Sequence, residues 1–152
     1  MSTSTSAGGS AKRPGPAQVR EQVLSQHRGL RRLLGQAMAV TEDKVAQIAQ
    51  ELRRNFLYHL TFEETFMFPA LRDADIWGPQ RLDAVTAEHR QQRAELDGLI
   101  DLLRDGRPAA EIAQAVKALA EKLEKDMEAE EAELLNPNLL RDDVVAIDQS
   151  TD

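Results

Sequence analysis

The chain has three histidines, His27, His59 and His89, and each sits among apolar residues at helical spacing. His27 has Val23 four residues before it, Leu30 three after and Leu34 seven after. His59 is flanked by Leu52, Phe56, Phe62 and Phe66 at offsets of seven, three, three and seven. His89 has Leu82, Val85 and Leu96 at seven, four and seven. Residues at such offsets share one face of a helix, so all three imidazoles belong to buried stripes. One buried histidine is commonly a core residue bonded to a neighbour. Three that converge with nothing to bind are costly polar groups in an apolar interior.

Carboxylates extend the pattern. Glu63 follows His59 by four residues, within "YHLTFEETFMFP" (58–69), so both project from one face a turn apart. Glu130 and Glu131 interrupt the apolar stripe between Met127 and Leu134. A buried carboxylate must be protonated, paired or metal-bound. Imidazole nitrogen with carboxylate oxygen suits iron, manganese or zinc, and mixed sets with open positions favour iron that handles oxygen. The chain has 26 acidic residues to place, so Glu64 and Glu130 fit a solvated flank as well as an interior.

The elements that must position these groups are helical. Four amphipathic segments are expected. The first runs from about Ala17 to Ala39. The second starts at Thr41, a good N-cap, and continues to about Leu71. "DADIWGP" breaks it, and Gly78 and Pro79 open the third, which carries Leu82 to Leu103. "RDGRP" ends that one, Pro108 suits the next first turn, and the fourth carries Ile112 to Leu135 before "NPN" at 136–138 stops it. Short loops between long helices predict an all-α, antiparallel up-down-up-down four-helix bundle over residues 17–140. Residues 1–16 read as a disordered tail and residues 141–152 as a second tail. The apolar knot Val144 to Ile147 in that second tail is a candidate docking peptide for a protein partner.

Composition sets the outer limits. A chain of 152 residues is most simply one domain. It has no cysteine, which excludes disulfides, a thiol nucleophile and cysteine-based metal sites. A net charge of −7 argues against nucleic acid as a partner. No apolar run approaches the roughly 20 residues that span a bilayer, and no signal peptide is evident. A cytoplasmic protein with no membrane partner is expected.

There is also a short internal repeat. "EETFMFPAL" (63–71) and "EAELLNPNL" (131–139) align Glu63 with Glu131 and His59 with Met127. Two helix pairs about a pseudo-twofold axis would each bring one histidine from the leading helix, His27 or His89. Arg28, Arg31 and Arg32 form a basic turn beside His27, suited to acidic residues on a neighbouring helix. Tyr58 is expected at a helix seam.

With His27 in the first helix, "HLTFEETFMFP" in the second, "EHR" around His89 in the third and "EEAELLNP" ending the fourth, the chain resembles the hemerythrin-like proteins, those with a hemerythrin HHE cation-binding domain. The resemblance covers roughly residues 20–140. It implies a non-heme di-iron centre in the bundle core, with one iron held by His27 and His59 and the other near His89. It also implies that Glu63 and Glu131 bridge the metals. The family's helix-four histidine falls on Met127, and a second helix-three histidine of animal hemerythrins falls on Arg93. A thioether suits iron poorly, so Met127 reads as packing. The iron near His89 is then undercoordinated, ligated by Glu128 or Glu130 instead, or absent. The expected function is binding of, or reaction with, dioxygen, peroxide or nitric oxide at one or two irons. The alternatives are an iron-storage or metal-handling protein, and a structural or adaptor bundle with a degenerate site.

Overall fold

The computed structural model describes residues 13–142. Helix α1 spans Pro16–Met38, α2 Val45–Phe62, α3 Phe68–Ala74, α4 Gly78–Arg104 and α5 Ala109–Glu133. A 3₁₀ turn, Glu42–Lys44, leads into α2, and a π turn, Glu63–Met67, joins α2 to α3. The second segment is thus one helix with a bulge, and no strand occurs among the described residues. The first twelve residues and the Val144 to Ile147 knot lie outside the described residues.

Helix ends follow local chemistry. Pro16 opens α1 and Pro79 lies in the first turn of α4, where a missing N–H costs nothing. Pro108 precedes α5 as its N-cap. Gly106, at φ 65°, ends α4 in a left-handed turn. The Gly106 N–H reaches the Leu103 carbonyl at 3.2 Å and the Arg107 N–H reaches that of Leu102 at 3.1 Å, which satisfies two terminal acceptors. The C-terminal residues beyond α5 return to the start of the chain. Asp142 Oδ1 accepts from the Ala17 N–H at 3.2 Å, and Arg20 Nε donates to the Leu135 carbonyl at 2.6 Å.

The π turn has a cause in the sequence. Pro69 has no N–H and its ring cannot sit over the carbonyl four residues back. The ladder widens ahead of it, and the Phe68 N–H reaches five residues back to the Glu63 carbonyl. One residue is thereby gained between Glu63 and the buried Met67 and Leu71. The widened turn begins at the glutamate that the sequence marks as a ligand.

Helix α1 packs on α2 and α5, and α4 packs on α2, α3 and α5, closing a four-membered ring. The interior has two apolar clusters. The larger holds Leu34, Leu52, Phe56, Leu96, Leu123 and Met127 among others; the smaller holds Val19, Val23, Met67, Leu71, Leu135 and Leu140. The boundary between them is visible in each helix. His27 falls between Val23 and Leu30, His59 and Glu63 between Phe56 and Met67, and Glu130 between Met127 and Leu135. A polar layer therefore crosses the bundle with hydrocarbon on both sides.

Gly78 holds the α3–α4 turn closed. A Cβ there would lie 2.0 Å from the Arg72 carbonyl oxygen, so backbone must move to admit one. Gly78→Ala is expected to cost about 1–3 kcal/mol, the range for overpacking. Urea denaturation checks it; unchanged stability would mean that the turn is not closely packed.

Candidate metal site

Three histidines and a glutamate from different elements reach the polar layer. His27 on α1 is 0% exposed, His59 on α2 3%, His89 on α4 2%, and Glu63, the first residue of the π turn, 1%. One ligand atom from each of His27, His59, Glu63 and Glu130 lies within 4.8 Å of all the others. Glu63 faces two helices. Its Oε1 contacts His59 Nε2, and its Oε2 lies 3.8 Å from His89 Nε2. Glu130 Oε1 lies 3.1 Å from His27 Nε2.

The fourth-helix carboxylate in this cluster is Glu130, whereas the sequence pattern put Glu131 there. The Glu131 side chain is 25% exposed and lies at the outer edge of His27, its Oε1 3.2 Å from Nδ1. Arg31 grips it with two hydrogen bonds, at 2.6 and 2.8 Å, and also donates to Glu124 at 2.9 Å. The pairing of the basic turn with a neighbouring helix is made by Arg31. Met127 is 4% exposed and packs within the larger apolar cluster. Tyr58 is 68% exposed instead of lying in a seam.

Charge in the layer is unevenly compensated. Burial pushes the Glu130 carboxyl well above the usual range, and the neighbouring charge of Glu63 pushes it further. Burial would raise Glu63 too, but His59 and then His89 outweigh it and hold this carboxyl below the usual range. Burial and the nearby His59 hold the His27 imidazole down, so it is neutral at physiological pH. Burial also acts to lower His89, but the hydrogen bonds and charges of Glu63 and Glu64 carry it above the ordinary histidine value.

The donor set fits a cation. His27 Nε2, Glu63 Oε2, His89 Nε2 and Glu130 Oε1 are buried without an aligned hydrogen-bond partner among the described residues. Four such atoms converging in one layer leave a desolvation cost that a cation would remove. Donors about 2.1 Å from a first-row ion stand at most about 4.2 Å apart. Tetrahedral neighbours stand about 3.4 Å apart, so ligand atoms that lie within 4.8 Å of one another reach an ion by side-chain adjustment without movement of the helices. Nitrogen and carboxylate donors together suit a first-row divalent ion.

A proton is displaced when such an ion enters. Glu130 has a raised value in the folded chain, so its contribution to the stability of the empty protein is full below the ordinary carboxylate value, about 4.3. That contribution is lost as pH rises through the raised value. Cation binding needs the ionised form and should release about one proton per Glu130, so affinity should rise about tenfold per pH unit below the raised value. Indicator-monitored metal titration measures this. In Glu130→Gln the release should vanish; a pH-independent affinity in the parent protein would show that Glu130 is not a ligand.

An all-helical bundle crossed by a buried histidine–carboxylate layer is the architecture of a cation-binding helical domain. The sequence comparison agrees: the hemerythrin HHE cation binding domain matches residues 18–136, and the chain belongs to that family. No curated protein and no solved structure matched the chain.

Four residues support the site histidines from outside, and of these only the pairing of Arg31 with a neighbouring helix was expected from the sequence. Gln26 Oε1 lies 2.7 Å from His59 Nδ1. Glu64 Oε2 lies 2.9 Å from His89 Nδ1, and Arg93 donates to Glu64 at 2.5 and 2.7 Å. Arg31 does the same for Glu131. The one signal for them was position: each arginine follows a site histidine by four residues, one turn along the same face.

Proposed function

We propose that this protein is a non-heme iron protein that binds or reacts with a small oxygen-containing molecule, dioxygen, peroxide or nitric oxide. The observation that carries the reading is the buried cluster of His27, His59, Glu63 and Glu130 between two apolar cores. These four residues would hold one iron. His89 and the second oxygen of Glu63 would serve a neighbouring position, and a carboxylate facing histidines of two helices is placed as a bridge requires. Glu131 acts behind His27 in this reading.

Iron, when bound, supplies an exchangeable coordination position and one-electron redox chemistry. The chain supplies enclosure and polarity. Phe56 and Phe68 lie edge-on and tilted against His59 and His89, with ring centroids 6.4 and 4.9 Å away. They exclude water and bulky molecules, which favours a very small ligand. A cleft of about 400 Å3 between α1 and α2, lined by Gln26, Arg32, Tyr58 and His59 among others, supports approach to the outer edge of His59.

Helix direction bears on the donor set. Arg20 pairs with Leu135, His27 with Glu131 and Arg31 with Glu124, while Gln92 pairs with Asp126 and Lys122 with Glu95. Such crossed ladders support the antiparallel up-down-up-down order. Among the described residues no helix is long and apolar enough to cross a membrane. A cysteine-free chain suits the reducing cytoplasm.

The test has two steps. Protein loaded with ferrous iron without air should retain one to two ions per chain after desalting. The loaded protein should then change its absorption spectrum on exposure to dioxygen, peroxide or nitric oxide. Iron that is retained but inert to all three would favour metal storage; no retained iron would favour a structural bundle.

A further inference from the structure

The two halves of the bundle carry the same accessory device. His27 and Arg31 are one turn apart on α1, in "HRGLR"; His89 and Arg93 are one turn apart on α4, in "HRQQR". Glu131 follows the inward Glu130, and Glu64 follows the inward Glu63. Arg31 binds both oxygens of Glu131, at 2.6 and 2.8 Å, and Arg93 both oxygens of Glu64, at 2.5 and 2.7 Å. Each carboxylate then meets the outer nitrogen of its histidine. Glu131 Oε1 is 3.2 Å from His27 Nδ1 and Glu64 Oε2 is 2.9 Å from His89 Nδ1. The third histidine lacks this device: His59 Nδ1 meets the neutral amide of Gln26.

We propose that Arg31–Glu131 and Arg93–Glu64 are matched positioning clamps, each fixing the tautomer of one site histidine and aiming its Nε2 into the polar layer. The assignment rests on the cation-site reading above. An ionised carboxylate only accepts hydrogen bonds, so the Nδ1 atoms of His27 and His89 carry the ring protons. Each Nε2 is left with its lone pair directed inward, as a ligand requires. The side chains of Glu131 and Glu64 are 25% and 31% exposed, so alone they would sample several rotamers. A guanidinium fork holds the carboxylate plane at two points, which a lysine point charge does not. Each guanidinium offsets the charge of the carboxylate it grips, although Arg31 also donates to Glu124 on the outer side. The clamps also explain what the arginines do one turn beyond two site histidines: each holds a carboxylate that holds the ring.

The test reads tautomers directly, in the metal-free full chain. Nitrogen-15 histidine spectra at alkaline pH, where imidazole is neutral, should show His27 and His89 protonated at Nδ1. Arg93→Met and Glu64→Ala should shift His89 alone toward the Nε2-protonated form, and Arg31→Met and Glu131→Ala should shift His27 alone. Arg→Lys variants should recover only part of the parent pattern. Ferrous iron affinity should fall about 10–100-fold in each Met or Ala variant. Unchanged tautomers in Arg31→Met and Arg93→Met would overturn the proposal. So would loss of helical circular dichroism in those variants and in Glu64→Ala and Glu131→Ala, because the pairs would then be structural struts. A parent protein with both expected tautomers but no iron uptake would overturn the cation-site reading instead.

Discussion

Glu63→Gln is expected to abolish tight iron binding while leaving the empty bundle folded. Glu63 is 1% exposed, touches His59 with one oxygen and approaches His89 with the other, so it serves both sides of the layer. Losing a group that only orients a ligand costs about 10–100-fold in metal affinity. Losing a charged donor shared by two positions should exceed that range. The empty protein should not suffer in proportion. A glutamine side chain has nearly the same shape and can hydrogen-bond an imidazole, so the loss is limited to the compensated charge. Thermal melts of the metal-free variant should show a folded protein that melts somewhat below the parent, because His59 and His89 lose the charge that they hold ionised, while equilibrium dialysis against ferrous iron shows the loss. Parent-like affinity would remove Glu63 from the site.

The second large effect separates two adjacent residues. Glu130→Gln should weaken iron binding by more than about 100-fold, and Glu131→Gln by about 10-fold. The difference follows from where each side chain points. Glu130 Oε1 is buried without an aligned partner and lies 3.1 Å from His27 Nε2. Glu131 is held by Arg31, which keeps its carboxyl below the usual range, and acts on the outer face of His27. The metal-free Glu130→Gln protein should also gain stability over the parent as pH rises through the raised Glu130 value, where the buried carboxyl of the parent is being charged. Equal losses in the two variants, or a larger loss at Glu131, would return the inner role to Glu131.

That pair also marks how far the sequence could be read. The histidines were legible because the 3.6-residue period admits no other face for His27, His59 and His89, and all three are buried. Glu63 was legible through its turn-apart spacing from His59. Glu130 was not, because two glutamates adjoin and periodicity places a side chain only to within about one residue. Counting turns of about 3.6 residues from Leu123 gives about 126.6 and then 130.2, nearer Glu130 but within the one-residue tolerance that admits Glu131. The resemblance to the family implied Glu131 as the bridging carboxylate, and the short repeat aligned the same residue with Glu63. The two segments also differ in structure past that glutamate, since only the second helix widens into a π turn. In the structure Glu63 and Glu130 face the polar layer, while Glu64 and Glu131 meet the outer nitrogens of His89 and His27.

The helices themselves were readable to within a few residues because proline and glycine punctuate them. The expected start at Ala17 is Pro16, and the expected end near Leu135 is Glu133. The unread part was tertiary. Nothing local in "EETFM" signals a widened turn, since the cause lies downstream at Pro69. Nothing in "HRQQR" says that its last arginine reaches a carboxylate on another element. Such contacts depend on helix rotation about its axis, which periodicity fixes only to about one residue.

The most direct test of the account is a crystal structure of the iron-loaded protein with anomalous scattering recorded at the iron edge. An iron peak is expected within bonding distance of His27 Nε2, His59 Nε2, Glu63 and Glu130, with Glu131 still held by Arg31. A chain that crystallises from iron with no anomalous peak in this layer, or with iron bound at Glu131 and away from Glu130, would contradict it.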